Sequence, residues 1–293
     1  MLLLTALFWG FAFVTQTTAM DFVGPFTFQA VRQMIGFLVL LPVIAVRDKL
    51  GYTADFKPQS SAEKKSLLVH GAVCGLVLFV ACTLQQLGIV CGVSAGKSGF
   101  ITALYIVLVP LSGILLGKKI SFHLWFAVAA AVVGLFYLCG ESNFTAEIGE
   151  ILTLLCAFCF AFHILHIDHI ANRVDGVRLA ALQYLFCSLY SLPFAMLTEE
   201  ISLAAIGNAW LPIVYTGVFS SGVAYTLQII AQKHVEPTVA SLTMSTEAVF
   251  AALFGWLVIG QKLSPQELFG CALVFFAIVT AQLPDDFLRR KAA

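Results

Sequence analysis

Residues 81–121 read ACTLQQLGIVCGVSAGKSGFITALYIVLVPLSGILLGKKIS, and residues 224–264, which lie 143 positions later, read AYTLQIIAQKHVEPTVASLTMSTEAVFAALFGWLVIGQKLS. The two stretches align without a gap, and several of the identical residues are polar, which apolar composition alone does not readily produce. The chain therefore contains an internal repeat, which predicts two copies of one structural unit. Identical residues stand at Ala81 and Ala224, Thr83 and Thr226, Leu84 and Leu227, Gln85 and Gln228, Ser98 and Ser241, Gly117 and Gly260, Lys119 and Lys262, and Ser121 and Ser264.

The composition excludes an ordinary water-soluble domain. Of the 293 residues, 60% are hydrophobic and 11% are charged, and the mean hydropathy is +0.95, whereas soluble domains carry about a quarter charged residues. Apolar runs of about 20 residues, each long enough to cross about 30 Å of hydrocarbon, follow one another along the chain. Because lipid leaves backbone polar groups no partners outside their own segment, these runs predict helices. The predicted spans are 2–20, 26–46, 67–88, 95–117, 122–140, 148–170, 179–197, 207–229, 238–260 and 265–283.

The number of spans and the repeat together predict the topology. Residues 1–140 and 148–283 each hold five spans, and residues 284–293 form a tail. An odd number of spans inserts the second copy upside down relative to the first, an arrangement common in transporters that alternate access around a site at the membrane midplane. We therefore expect an all-α membrane protein with ten transmembrane helices arranged as two inverted five-helix repeats.

The distribution of basic residues predicts the orientation, because Lys and Arg in short loops resist translocation. If the N-terminus is cytoplasmic, the basic connection 47–66 and the basic tail 284–293 both lie inside. The opposite loops then carry acidic residues such as Asp21, Glu199 and Glu200. We expect both termini in the cytoplasm.

Five segments carry a family resemblance: FWGFAFV from Phe8, RQMIGFLVLLP from Arg32, LQQLGIVCGVSAGKSGFITALYIVLVPLSGILLGKKIS from Leu84, AYTLQIIAQKHVEPTVASL from Ala224, and STEAVFAALFGWLVIGQKLSPQELFGCALVFFAIVTAQL from Ser245. In their order and spacing they resemble the tandem halves of the EamA family of the drug/metabolite transporter superfamily. The resemblance implies ten helices around a central cavity, in a bacterial plasma membrane. It also implies export or exchange of small metabolites such as amino acids or drugs, without a cofactor or ATP.

The sequence departs from the family pattern at two places. Members often have Pro after the acidic residue of the ninth helix, where this chain has Glu247 followed by Ala248, so the resemblance does not assure a kink there. Members also often have an acidic residue after the Gly that closes the fourth and ninth helices, where Lys118 and Gln261 stand here.

Charged side chains inside predicted spans are the sharpest candidates for function, because each costs about 2.5–3.5 kcal/mol at a helix centre and must be hidden from lipid. Arg32 lies in the second span and Glu247 in the ninth. One interpretation is that both line the cavity and meet solute or a proton. The alternatives are a structural ion pair between them or, for Arg32, a side chain that reaches the interface.

Neutral polar and aromatic residues complete the candidate site. Gln85 and Gln228, at equivalent repeat positions, could hold a polar or zwitterionic solute or simply join helices by a hydrogen bond. Trp9 and the tyrosines are candidates for cavity walls or for interfacial anchors. Ser98 belongs to a small-residue face of the fourth helix, which fits close packing or room for solute. The expected solute-binding residues are Trp9, Arg32, Gln85, Ser98, Tyr105, Tyr225, Gln228, Ser241 and Glu247.

A histidine- and cysteine-rich segment closes the sixth span and raises the alternative of a metal site. His163 and His166 are three residues apart and so are neighbours on one helix face. Ligands from one helix cannot close a tetrahedral shell, so we expect no bound metal and no cofactor. The cluster comprises Cys156, Cys159, His163, His166, Asp168 and His169.

These observations favour a transporter over an enzyme. We expect two inverted halves to rock around a site between the third, fourth, eighth and ninth helices, with export as the direction and Glu247 as a candidate for proton coupling. A nucleotide-sugar or anionic metabolite exchanger would need more basic cavity residues than Arg32 and Lys97. A membrane-embedded metalloenzyme would need ligands on a second helix. The net charge of zero gives no sign of a nucleic-acid partner.

Overall fold

The computed structural model describes residues 1–51, 58, 60–93, 95–115, 117, 120–139, 147–259 and 264–281. Within these ranges every regular element is a helix, as the predicted all-α fold class requires. The predicted tail 284–293, most of the centre of the 47–66 connection, Lys118 and Gln261 lie outside the described residues.

Ten apolar helices follow one another in the described chain, and each overlaps one predicted span. They are α1 Leu2–Ala19, α2 Pro25–Lys49, α3 Ser61–Val90, α4 Ala95–Ala103 with Tyr105–Leu115, α5 Phe122–Cys139, α6 Ile148–Ile170, α7 Gly176–Thr198, α8 Trp210–Ala231, α9 Pro237–Met244 with Glu247–Ile259, and α10 Pro265–Ala281. Eight of these are long and apolar enough to cross a membrane, and α5 and α10 are shorter. A short helix, Leu203–Asn208, precedes α8.

Large apolar side chains cover the outside of the bundle, while polar side chains lie within it. Leu115 and Phe122 are 88% and 86% exposed, whereas Gln33 and Gln86 are 0% exposed. This distribution is the reverse of that in a soluble protein, and it is stable only where lipid replaces water around the bundle.

Glycines allow a close helix contact between α5 and α10. A Cβ on Gly134 would lie 2.9 Å from the Gly270 carbonyl oxygen, and a Cβ on Gly270 would lie 2.6 Å from the Gly134 carbonyl oxygen. Neither helix could approach the other so closely with a larger residue at these positions. Small residues of this kind let helix backbones meet in a membrane, where the hydrophobic effect does not drive association.

Several other helix contacts fall into matching pairs. Helix α1 packs on α8 and α9, and α6 packs on α3 and α4. Helix α2 packs on α8, and α7 packs on α3, while α2 and α7 also pack on each other. Adding or subtracting five from each helix number converts each of these contacts into another of them, and converts the α2–α7 contact into itself.

Two helices, α4 and α9, are interrupted within their length. Helix α4 breaks at Leu104, and α9 breaks at Ser245 and Thr246, directly before Glu247. In α9 the Ser245 hydroxyl donates to the Leu242 carbonyl at 2.8 Å, and the Thr246 hydroxyl donates to the Thr243 carbonyl at 2.6 Å. Hydroxyls that bond back to the preceding turn bend helices, so α9 is interrupted without a proline.

Helix α8 contains a long π-helical segment, Thr216–Tyr225, between two α-helical turns. A π-helix has a wider turn than an α-helix, so it rotates the face that later residues present. The sequence pattern gave no indication of this change.

Charged groups join α2 to α7 at both ends. At the end of the bundle that we call the Arg47 end, the Arg47 guanidinium lies 3.1 Å from Asp175 Oδ1, Arg178 pairs with Asp48, and Lys233 donates to the Val174 carbonyl at 3.2 Å. At the opposite end, the Glu199 end, the Glu199 carboxylate accepts the first free N–H groups of α2, from Phe26 and Thr27, each at 2.8 Å. An anionic group at a helix N-terminus both satisfies those donors and complements the helix dipole.

Candidate functional site

A cavity lies at the centre of the bundle, between α1, α2, α3, α4, α6, α8 and α9; it encloses about 400 Å³ of non-atom space including its open side, of which about 40 Å³ can hold the centre of a water molecule. It is thus bordered by more helices than the four that the sequence suggested. Six of the nine expected residues line it: Trp9, Arg32, Gln85, Tyr105, Tyr225 and Glu247. Its wall also contains residues that sequence reasoning did not single out: Ala12, Phe13, Gln16, Cys82, Thr102, Phe160 and Ser220.

Glu247 is the acidic group of the cavity. It is the first residue of the second half of α9, immediately after the interruption, and its side chain is buried. The Tyr105 hydroxyl, at the start of the second half of α4, donates to Glu247 Oε1 at 3.2 Å. The two helix breaks therefore bring one carboxyl and one phenol together at the cavity wall.

Arg32 is the basic group of the cavity, and neutral amides hold it in place. Its Nε donates to Gln29 Oε1 at 2.7 Å and its Nη1 donates to Gln16 Oε1 at 2.9 Å. The guanidinium also lies over the Phe28 ring, 5.0 Å from the ring centroid. The guanidinium, buried within the bundle, does not snorkel to the interface.

The structural ion pair between Arg32 and Glu247, one of the sequence hypotheses, does not form in this conformation. Among the described residues, ion pairs join Arg47 to Asp175, Lys97 to Glu150 and Arg178 to Asp48. Both cavity charges instead bond to neutral partners. A charged solute could therefore bind either group without first breaking a salt bridge.

Aromatic side chains form one wall of the cavity rather than an interfacial belt. The Trp9 and Tyr225 rings are 4.5 Å apart between centroids, and the Trp9 indole N–H donates to the Ser220 carbonyl at 3.2 Å. The Tyr225 hydroxyl lies 3.9 Å from Cys82 Sγ. These contacts fix large apolar surfaces beside the two charged groups.

The remaining polar candidates divide into two groups. Gln85 lines the cavity, and its Nε2 donates to the Thr102 hydroxyl at 3.1 Å. Gln228, Ser98 and Ser241 are also buried, but they do not line this cavity. Gln228 donates to Gln232 Oε1 at 3.0 Å, and Ser241 donates to the Thr238 carbonyl at 2.9 Å.

Gln16 was the most informative residue that sequence reasoning omitted. It accepts hydrogen bonds from both Arg32 and Gln86, the latter at 2.6 Å from Gln86 Nε2. Gln16 follows Trp9 by seven residues, which is two helical turns, so both face the same side of α1. That spacing was a signal that could have identified it.

The histidine cluster of α6 does not gather around one point. His163 bonds to Gln183 at 3.1 Å, and His166 lies 3.3 Å from His70 of α3. Within the described part of the chain, no three His, Cys, Asp or Glu side chains form a group that could hold a metal ion.

Comparison with known proteins identifies the family. The sequence profile of the EamA-like transporter family matches residues 1–139 and again residues 147–281. An uncharacterised transporter of Archaeoglobus fulgidus is 32% identical over 286 residues, which cover 96% of this chain and 84% of that protein. The S-adenosylmethionine/S-adenosylhomocysteine transporter of Chlamydia muridarum is 21% identical, with 94% of this chain and 90% of that protein covered. A crystal structure at 20% identity shares the fold, with a TM-score of 0.78 over 100% of this chain and 98% of that chain. The chain is therefore a multi-pass membrane protein that belongs to the EamA-like transporter family.

Proposed function

We propose that the protein transports small organic solutes that carry both a positive and a negative group, amino acids among them, with export as the direction. One observation carries this proposal. The same cavity is lined by a guanidinium that is held by amides and by a carboxyl that is held by a phenol. A solute with a carboxylate and an ammonium group would complement both, since charge-assisted hydrogen bonds are stronger than neutral ones. The aromatic wall at Trp9 and Tyr225 would take its apolar part.

We further propose that residues 1–140 and 148–283 are two inverted five-helix repeats that move against each other. The matching contact sets support this layout, and so do the breaks in α4 and α9, because adding 143 to Leu104, where α4 breaks, gives Glu247, the residue directly after the break in α9. Cys82 and Tyr225 are also 143 residues apart and contact each other, as equivalent residues near a two-fold axis do. Alternating access about such an axis is the usual mechanism for inverted repeats.

We expect the Arg47 end to face the cytoplasm of a bacterial plasma membrane. The basic residues near this end support that orientation. Reporter fusions after Ser60 and after Ala293 should both show cytoplasmic activity, and a fusion after Glu200 should show periplasmic activity. Periplasmic signals from both of the first two would contradict the orientation, and a periplasmic signal from only one of them would contradict the even number of spans between them.

A nucleotide-sugar or anionic metabolite exchanger is the less favoured alternative. Among the described residues that line the central cavity, Arg32 is the one basic residue. Lys97 is paired with Glu150. A diphosphate would meet too little positive charge there. The name of the Chlamydia relative suggests a solute in which an amino acid is joined to a nucleoside. Such a solute carries the same ammonium and carboxylate groups as a free amino acid, so it remains within the proposed class.

A thermal-shift panel on the purified protein in detergent tests the solute class. L-phenylalanine, L-threonine and S-adenosylhomocysteine should raise the unfolding temperature, because a solute at ten times its Kd stabilises the folded state by about 1.4 kcal/mol. Phenethylamine lacks the carboxylate and 3-phenylpropionate lacks the ammonium group, so each should give less than half the shift of L-phenylalanine. Equal shifts from these one-ended analogues, or a larger shift from a nucleotide sugar, would contradict the proposal.

A further inference from the structure

A second cavity lies at the Arg47 end, and we call it the vestibule. Its volume is about 1100 Å³ including its open mouth, and its wall is formed by α4, α6 and the connection between α8 and α9. Polar and charged groups from Asp168, Asn172, Gln232 and His234 contribute to this wall. The vestibule therefore offers an open approach, lined in part by polar groups, to the bundle from the end opposite Glu199.

Helices α4 and α6 contribute to the walls of both the vestibule and the central cavity, at different positions along their lengths. On α4 the cavity residue Tyr105 is four residues from the vestibule residue Val109, and on α8 the cavity residue Tyr225 is seven residues from Gln232. At 1.5 Å per residue these separations are about 6 and 10 Å along the helix axes. A partition of one to two helical turns therefore divides the two spaces.

Gln228 lies within this partition, on α8 between Tyr225 and Gln232. Its side chain is 1% exposed, and its Nε2 donates to Gln232 Oε1, while Gln232 Nε2 donates to the Ile164 carbonyl at 3.0 Å. Gln228 Oε1 is buried without a hydrogen-bond partner among the described groups. A buried amide oxygen without a partner is costly, so a conformation that gives it water or a donor would relieve that cost.

The first repeat contains the corresponding pair, a glutamine and a hydroxyl residue, but its hydrogen bonds differ. Adding 143 to Gln85 and Thr102 gives Gln228 and Ser245, so a hydroxyl follows each glutamine by 17 residues. In the first repeat the amide donates to the hydroxyl and lines the cavity. In the second repeat the Ser245 hydroxyl is used within its own helix, on the Leu242 carbonyl, and the amide is withdrawn into the partition.

We propose that Gln228 and Ser245 form a second solute-contacting half-site, which is occluded in this conformation and opens toward the vestibule in another. In that second conformation Gln228 Nε2 donates to the Ser245 hydroxyl, and the exposed Oε1 accepts from water or from the solute. The Gln85–Thr102 hydrogen bond is then broken, and Gln85 takes the buried environment that Gln228 has here. The inference rests on the transport function proposed above, since only a protein with two access states needs both half-sites.

Single-cysteine reporters test this exchange without any solute. In a background without the eight native cysteines, Gln228→Cys reports access to the partition and Gln85→Cys reports access to the central cavity. The probe is the impermeant reagent 2-(trimethylammonium)ethyl methanethiosulfonate, applied to the purified protein in detergent. Each reporter is combined with a change in the opposite repeat, so that the reporter does not itself remove the hydrogen bond under test.

Thr102→Val removes the bond that stabilises the present conformation and should raise the reaction rate of the Gln228→Cys reporter two- to tenfold, as the loss of one hydrogen bond would. Ser245→Ala removes the bond that stabilises the second conformation and should raise the rate of the Gln85→Cys reporter by a similar factor. Thr243→Val is the matched control, because the Thr243 hydroxyl bonds within its own helix to the Val239 carbonyl, and it should leave both rates within a factor of 1.5.

Two results would overturn the proposal. A Gln228→Cys reporter that stays inert with Thr102→Val, yet reacts once the protein is denatured, would mean that Gln228 is static packing. Equal acceleration by Thr102→Val and Thr243→Val would mean local loosening rather than an exchange. A solute panel without a response, together with coupled reporters, would instead count against the proposed solute class and leave the second half-site standing.

Discussion

Replacing Glu247 with Gln is expected to reduce uptake driven by a pH gradient at least tenfold while the protein stays folded. The carboxyl can bind and release a proton beside the solute, whereas an amide cannot. Gln retains an oxygen that can accept the Tyr105 hydroxyl, so the free energy of unfolding should change by no more than about 1 kcal/mol. The measurement is uptake of labelled L-phenylalanine into proteoliposomes against pH, together with thermal unfolding in detergent.

Two variants act as controls for the Glu247 result. Glu267→Gln changes a carboxylate that accepts the Ser264 backbone N–H at the start of α10, away from the cavity, and should leave uptake unchanged. Tyr105→Phe keeps the carboxyl but removes its phenol partner, so it should shift the pH dependence while uptake continues. If Glu247→Gln left gradient-driven uptake and its pH dependence as they are in the wild type, a proton-coupling role for Glu247 would be ruled out.

Replacing Arg32 with Gln is expected to abolish the stabilisation by L-phenylalanine and to lower the free energy of unfolding by about 2 kcal/mol. The loss of stability follows because Gln29 Oε1 would lose its buried donor. Gln16 Oε1 would lose one of its two donors and keep only Gln86 Nε2. Arg32→Lys keeps the charge but not the fork of donors, so it should restore part of the binding. Retention of the full thermal shift by Arg32→Gln would mean that the solute carboxylate binds elsewhere.

The two changes should affect stability independently. Because Arg32 and Glu247 bond to separate neutral partners, the unfolding free energies of Arg32→Gln and Glu247→Gln should add to within about 0.5 kcal/mol in the double variant. A double variant that is more stable than Arg32→Gln alone would instead indicate a structural ion pair between Arg32 and Glu247, the alternative considered from the sequence.

The helices were predictable because a backbone in lipid has few other options. Each apolar run of about 20 residues became a helix, but the ends moved where specific polar groups extended them. Helix α3, for example, begins at Ser61 rather than at 67, because Ser60 and Glu63 form a reciprocal capping box that stabilises an additional polar turn. Such a turn lies outside the hydrophobic run and so outside a count based on hydropathy.

The candidate site was only partly predictable. Arg32 and Glu247 could be singled out because a charge in an apolar span must be hidden, and both line the cavity. Equivalent repeat positions did not share an environment: Gln85 lines the cavity and Gln228 does not. Under the alternating access proposed above, sequence symmetry constrains the average of the two access states, whereas a single conformation is asymmetric. The π-helical turn of α8 also changes which residues face inward, and a period of 3.6 cannot anticipate that change.

The most direct test of the central claim is counterflow in proteoliposomes, which needs no driving ion. Vesicles loaded with 10 mM unlabelled L-phenylalanine and diluted into labelled L-phenylalanine should accumulate label transiently above the external concentration. Vesicles loaded with phenethylamine or UDP-glucose should not, and Arg32→Gln should remove the overshoot. The account would be contradicted if protein-containing and protein-free vesicles behaved alike with every zwitterionic solute of the panel, or if UDP-glucose drove the accumulation of labelled UDP-glucose.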